Sequence, residues 1–168
     1  MKNWLVCAVL GLLAQASSRA ADFFPADAPR FEDWPAKPYS GPLARAELKQ
    51  HPRSRRFRTV LREGAQQGPN FAGHYTLVRW GCGSGCIEMA IVDAKSGRVF
   101  HPPQLLSAQW TPLQEEWPDG VSDLIEARPE SRMLRVVGMV NEDGKQIGVS
   151  YFVWQHQRLR LIRHVHKD

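Results

Sequence analysis

The spacing of apolar residues changes at residue 71, and this change constrains the fold more than any other feature of the sequence. From there onwards, apolar and polar positions alternate in short runs rich in β-branched and aromatic residues, which is the period of half-buried β-strands. The runs are 75–80, 87–92, 98–101, 123–127, 133–140, 147–154 and 159–165. Turn residues separate them within two groups, so we expect two antiparallel, blade-like meanders near 71–101 and 122–166.

The part of the chain before these runs predicts an extended arm followed by short helices. Residues 21–43 contain five of the twelve prolines, and proline disfavours both helices and central strands. We therefore expect an arm over 21–41 that docks its aromatic rings on the body. A weak helical pattern runs from Pro42 until Pro52 ends it, and a second helix is expected to begin with Ser54 as its cap.

Together these patterns predict one mainly β (α+β) domain over residues 42–168, built as two sheets or as one strongly curved sheet. The helix and the proline-rich arm are expected to cover one face. Residues 102–120, between the two meanders, show no clear period and are expected to form a long loop with at most one helical turn.

The segment CGSGC places Cys82 and Cys86 on either side of Gly-Ser-Gly. In an oxidising compartment, a pair of cysteines at this distance is expected to form a disulfide. Glycine permits the tight backbone that such a small ring needs. The sequence therefore favours a covalent clip between two neighbouring strands, and no metal or other cofactor.

Two alternatives remain open for the same cysteines. A copper site is one, because Met89 follows three residues later, His74 lies on the adjacent strand, and thiolate and thioether ligands suit copper. Thiol–disulfide exchange is the other, although redox enzymes of that kind favour a shorter C-x-x-C spacing at a helix N-terminus.

The first 20 residues are typical of a secretory signal peptide. Lys2 precedes an apolar run from Leu5 to Leu13, which is too short to span a bilayer, and small residues follow up to Ala20. We therefore expect cleavage after Ala20, which also removes Cys7, and a periplasmic protein without a membrane span.

The charge of the exported chain is mildly positive. The sequence has 22 basic and 17 acidic residues, and removal of Lys2 and Arg19 leaves 20 − 17 = +3. A charge of this size, in an exported protein, does not indicate nucleic-acid binding. It permits attraction to an anionic protein or envelope polymer.

Two groups of residues are candidates for a binding surface. Four arginines gather around the second helix, and an anionic partner suits them, although a solvated helix face explains them as well. Two tryptophans of the expected loop are candidates for an exposed contact surface, which allows an envelope glycan-binding domain as a further alternative. These candidates are Arg53, Arg55, Arg56, Arg58, Trp110 and Trp117.

No catalytic motif stands out in the sequence. It contains no G-x-S-x-G, S-x-x-K, H-E-x-x-H or C-x-x-C-H pattern, and no glycine-rich loop that leads from a strand into a helix. We therefore assign no catalytic residue.

Three segments resemble a group of small exported bacterial proteins that carries no established activity. They are Asn70-Phe71-Ala72-Gly73-His74-Tyr75, Trp80-Gly81-Cys82-Gly83-Ser84-Gly85-Cys86 and Asp93-Ala94-Lys95-Ser96-Gly97. The resemblance supports a periplasmic location and transfers no catalytic residue to this chain. The sequence as a whole predicts a periplasmic, disulfide-clipped protein that binds or inhibits an envelope or exported protein.

Overall fold

The computed structural model describes residues 23–110 and 121–167, and the eight strands found there form one antiparallel sheet. The strands are β1 (Tyr75–Gly83), β2 (Cys86–Asp93), β3 (Val99–Phe100), β4 (Ser107–Gln109), β5 (Ile125–Ala127), β6 (Met133–Val140), β7 (Ile147–Gln155) and β8 (Arg158–His166). Their order is β1-β2-β4-β6-β7-β8, with β3 also beside β2 and β5 also beside β6. The mainly β, antiparallel fold predicted from the alternation is confirmed.

Strand β4 joins the two expected meanders into a single sheet. Ala108 at its centre pairs with Ile87 of β2 on one side and Val140 of β6 on the other, and it is fully buried. The prediction of an uninterrupted loop over 102–120 is therefore wrong at β4, because a strand this short shows no alternating period. Positions 111–120 of that loop lie outside the described residues.

The sheet curls, so that its inner face encloses a core shared by both halves. The core includes Leu77, Met89 and Ile91 from β1 and β2, and Leu134, Phe152 and Trp154 from β6 and β7. Burial of each side chain of this size stabilises the fold by about 1.5–3 kcal/mol. The curvature therefore follows from contacts between strands that are far apart in the sheet order.

Two helices cover the outer face of β1 and β2. They are α1 (Pro52–Arg56) and α2 (Arg58–Gln66). Leu61 and Ala65, one helical turn apart on α2, pack against Val78, Ala90 and Val92 of the sheet. Within the described residues, no helix is both long enough and apolar enough to cross a membrane.

The helix expected between Pro42 and Pro52 does not form. The backbone N–H of Ala44 donates to the carbonyl of Ala94 at 2.7 Å, and that of Glu47 donates to the carbonyl of Gly97 at 2.7 Å. These bonds hold the segment in an extended path along the turn between β2 and β3. A tertiary contact thus overrides a weak helical pattern.

The N-terminal cap of α1 also differs from the expectation. His51 occupies the cap position, and its ring Nδ1 accepts a hydrogen bond from the backbone N–H of Arg53 at 3.2 Å. Ser54, the predicted cap, lies inside α1, and its side chain is buried and directed elsewhere.

The proline-rich arm covers the outer face of β6 and β7. Phe23 and Phe31 are buried there against Val149, Tyr151 and Val153. The arm and the helices therefore lie on the same face of the sheet, over opposite halves of it. This agrees with the expectation that both cover one face.

The hairpin of β1 and β2 ends in the Cys82–Cys86 disulfide, which confirms the predicted bond. Gly83 and Gly85 inside the ring have φ angles of +142° and +67°. Glycine adopts such backbone conformations without the strain that a Cβ atom would add.

Replacement of both cysteines by serine (Cys82→Ser with Cys86→Ser) should lower the free energy of unfolding by about 2 kcal/mol. The open ring gives the unfolded chain more conformational entropy. Urea denaturation followed by tryptophan fluorescence measures this change. Wild-type protein in a reductant should match the double variant, and a midpoint that neither treatment moves would contradict a stabilising role.

Removal of the Phe31 ring (Phe31→Ala) should destabilise the protein by about 3 kcal/mol, because the ring is 4% exposed and its loss leaves a cavity. Thermal unfolding measures the loss, and limited proteolysis should show earlier cleavage in the arm. The control is Glu32→Ala, an exposed neighbour whose ion pair with Arg128 contributes less than about 1 kcal/mol. Equal effects of the two substitutions would show that the arm is not anchored by this ring.

Candidate functional site

Ion pairs are distributed unevenly over the surface. In the half covered by the arm, Arg128 lies 3.1 Å from Glu32, Arg163 lies 2.9 Å from Asp27, and a further pair joins Arg30 to Asp33. Arg135 pairs with Glu126 in the same half. The arginines of that half are therefore largely neutralised by their own chain.

A second group of basic residues lies on the helical half of the sheet and on the hairpin of β7 and β8, which the hydrogen bond between Arg98 and Gln157 connects. Its members are all exposed, and none has a carboxylate within 4.0 Å among the described residues. We define the basic surface as Arg45, Lys49, Arg55, Arg56, Arg58, Lys95, Arg98, Arg158 and Arg160. Two exposed carboxylates, Glu47 and Glu63, lie in the same segments, and the nine cations outnumber them, so the local charge is positive.

Three segments far apart in sequence contribute to this surface, and hydrogen bonds connect them. The guanidinium of Arg55 donates to the carbonyl of Lys49 at 2.9 Å, and that of Arg98 donates to Oε1 of Gln157 at 3.2 Å. The backbone bonds of Ala44 and Glu47 tie the first segment to the turn before β3. At Gly97 (φ +80°), a Cβ atom would clash with the carbonyl of Arg45, so the close approach requires glycine.

A histidine–serine contact supports the middle of the basic surface. Oγ of Ser54 lies 2.9 Å from Nε2 of His101, and the rings of His51 and His101 stack with centroids 4.7 Å apart. Burial, followed by the nearby charges of His51 and Arg53, lowers the pKa of His101 to about 4. Ser54 is 1% exposed, so this pair holds α1 against β3 rather than presenting a hydroxyl to solvent.

Arg53 is not part of the basic surface, although the sequence grouped it with its neighbours. Its guanidinium lies 3.0 Å from Oε2 of Glu88, which also accepts from the indole N–H of Trp80 at 2.9 Å. Arg53 therefore fastens α1 to the sheet. Arg55, Arg56 and Arg58 remain exposed.

An open cleft of about 400 Å³ lies next to the basic surface, between β3 and the turn that joins β7 to β8. It is lined by Val99, Phe100, His101, Pro102, Pro103, Gln104, Gln157 and Arg158. Arg98 crosses its rim, since this guanidinium lies 5.1 Å from the centroid of the Phe100 ring and reaches Gln157. Apolar walls, amides and cations thus meet in one place.

The turn at one side of this cleft is strained. His156 and Gln157 both have left-handed φ angles, +50° and +59°. A two-residue hairpin of this shape favours Asn-Gly, and each bulkier residue there costs about 1 kcal/mol. The turn between β6 and β7 has the same conformation at Asn141 and Glu142, with φ angles of +53° and +59°.

The structure does not bring the alternative copper ligands together. Cys82 and Cys86 are bonded to each other at one end of the β1–β2 hairpin, whereas His74 precedes the opposite end of β1 and lies 3.7 Å from Asp93. Met89 is fully buried in the inner core.

Of the two candidate tryptophans, only Trp110 lies among the described residues. Trp110 is half-buried and packs against the inner core, so it lies on the opposite face of the sheet from α1 and its arginines. Trp117 lies outside the described residues.

Sequence reasoning missed the cleft and six of the nine members of the basic surface. Arg158 and Arg160 stand two apart on β8, which places both on one face of the strand, but no local pattern indicates that Arg98 is their neighbour. The pairing of distant segments created this site.

Comparison with known proteins gives no information about this site. No family model matches the chain, and no curated protein or solved structure matches it either. The function has to be inferred from the site itself.

Stability should fall between pH 6.5 and pH 4 because of His101. Its pKa in the folded state is about 4 and its ordinary value is 6.5, so the unfolded chain binds the additional proton in this interval. The stabilisation is present above pH 6.5 and is lost as the pH falls towards 4, by about 2 kcal/mol after allowance for partial exposure.

The His101→Gln variant should show a smaller loss of stability over this interval in urea titrations at several pH values. His156→Gln, at an exposed position, is the matched control and should behave like the wild type. Identical pH profiles for all three proteins would contradict a half-buried, neutral His101.

Proposed function

We propose that this chain is an exported, periplasmic binding protein that acts through its basic surface on an acidic segment of another exported or envelope protein. One observation carries the proposal. The basic surface holds nine exposed cations without carboxylate partners among the described residues, whereas the arginines of the other half are largely paired.

The proposed location is supported by two features of the chain. The first 20 residues have the composition of a secretory signal peptide, although they lie outside the described residues. The Cys82–Cys86 disulfide is a bond that persists in oxidising compartments such as the periplasm.

The electrostatics suit a binding partner that is acidic. Like charges that are held close together on one surface repel each other, and an acidic partner relieves that repulsion as it binds. Complementary charges of this kind raise the rate of association and favour one partner over another. Dissolved salt screens these interactions over a distance of roughly 10 Å at 0.1 M. The proposed interaction should therefore weaken strongly as salt increases.

The buried position of Ser54 supports binding rather than nucleophilic catalysis by the Ser54–His101 pair. A catalytic hydroxyl has to reach a substrate, and this one is 1% exposed. The contact instead fixes the position of α1, which carries Arg55 and Arg56.

The proposal is tested by affinity capture from an envelope extract with purified protein as bait. Arg55→Gln combined with Arg58→Gln should reduce recovery of a specific acidic partner about tenfold, because two cations of the surface are lost. Quantitative mass spectrometry of the captured proteins at low and moderate salt measures recovery.

The matched control is Arg30→Gln combined with Lys145→Gln, which changes the net charge equally outside the basic surface. It should capture the same partner as the wild type. The same recovery with both double variants, or no specific partner with the wild type, would contradict the proposed function.

A further inference from the structure

The cleft beside the basic surface exists because the curled sheet stops short of closing. Phe100 of β3 and Trp154 of β7 contact each other with ring centroids 5.4 Å apart, in an edge-to-face arrangement. Strand β3 nevertheless pairs only with β2 among the described strands. The gap between β3 and β7, which we call the seam, is therefore bridged by side chains. The edge of β3 away from β2 has no strand partner in the described part of the chain.

The lining of the cleft combines three kinds of chemistry. Phe100, Pro102 and Pro103 provide apolar contact, Gln104 and Gln157 provide amides, and Arg158 provides a guanidinium at one side. Its volume of about 400 Å³ lies in the range of pockets that bind small groups, about 300–1,000 Å³. A ligand that fits these walls has an anionic group next to an apolar group.

Arg98 is held in a position that favours an anion at the rim. Its guanidinium lies against the ring of Phe100 and donates one hydrogen bond to Gln157. A guanidinium has five N–H donors, and carboxylates accept pairs of them in a planar arrangement. The contact with Phe100 and the bond to Gln157 reduce the entropy that Arg98 would lose when it binds a ligand.

We infer that the cleft binds the carboxylate of an acidic residue in an extended peptide segment, together with the apolar residue beside it. Arg158 and Arg98 bind the carboxylate, Phe100 and Pro102 contact the apolar side chain, and the free edge of β3 is available to the peptide backbone. This inference rests on the proposed function and identifies the part of the basic surface that gives it specificity.

A second copy of this chain is a poor occupant of the cleft. The rim carries Arg98 and Arg158, and Arg160 follows on β8, so the same region of two copies would bring like charges together. An acidic peptide has the opposite charge and an extended backbone, which match the rim and the open strand edge.

The test uses six-residue peptides that are acetylated and amidated at their ends, with the sequence Gly-Phe-Glu-Glu-Phe-Gly. The wild-type protein should bind this peptide in isothermal titration, and ¹H–¹⁵N spectra should show shifts confined to residues 99–104 and 156–159. The counterpart with Gln in place of both Glu residues should bind about tenfold more weakly. A third peptide has Gln at both positions and a free C-terminal carboxylate. If it binds as tightly as the Glu peptide, the cleft accepts a terminal carboxylate, and the assignment to an acidic side chain is overturned.

Two variants with the same change in charge separate the cleft from the basic surface as a whole. Arg158→Gln should weaken binding of the Glu peptide about tenfold, whereas Arg160→Gln, which removes a cation of the basic surface outside the cleft, should weaken it only about threefold. Equal weakening by both variants would overturn the cleft assignment and leave the proposed function standing. Absence of binding to the wild type would overturn the cleft assignment, and the capture experiment would then decide the proposed function separately.

Discussion

The structure depends on the union of two meanders through strand β4. Ala108 is fully buried between β2 and β6, and close backbone approach continues on the far side of β4, where Gly138 (φ +124°) faces the carbonyl of Gln109. A Cβ atom at Gly138 would clash with that carbonyl. Because the halves are joined in this way, the sheet can curl and enclose a core to which both contribute. Separate meanders would each expose one apolar face.

The curl also explains why the covering elements and the site lie where they do. The outer face of each half is apolar, and the sheet requires two covers: the arm over β6 and β7, and α2 over β1 and β2. The arm carries acidic residues that pair with nearby arginines, such as Asp27 with Arg163. The helical cover carries Arg55, Arg56 and Arg58, which have no carboxylate within 4.0 Å among the described residues. The difference in composition between the two covers therefore contributes to the one-sided charge of the protein.

The sequence was informative where a signal is local. Alternation predicted most strands, the spacing of two cysteines in a chain expected to be exported predicted the disulfide, and proline density predicted the arm. Local patterns failed at β4, which is too short for a period, and at residues 42–50, where bonds to Ala94 and Gly97 outweigh helix propensity. The cleft was not predictable, because Phe100 and Gln157 are brought together only by the curl. The sequence identified Arg55, Arg56 and Arg58, which belong to the basic surface. It did not show that Arg53 pairs with Glu88 and therefore does not belong to it.

The most direct test of the account is whether β3 lies against the β7–β8 hairpin in solution. A two-dimensional NMR experiment that detects short distances between protons should show cross-peaks between the ring of Phe100 and the indole of Trp154, whose centroids are 5.4 Å apart. Cross-peaks within the β2–β3 pair and within the β7–β8 pair, without any between Phe100 and Trp154, would contradict the curled sheet. The seam and the cleft would then have no structural basis.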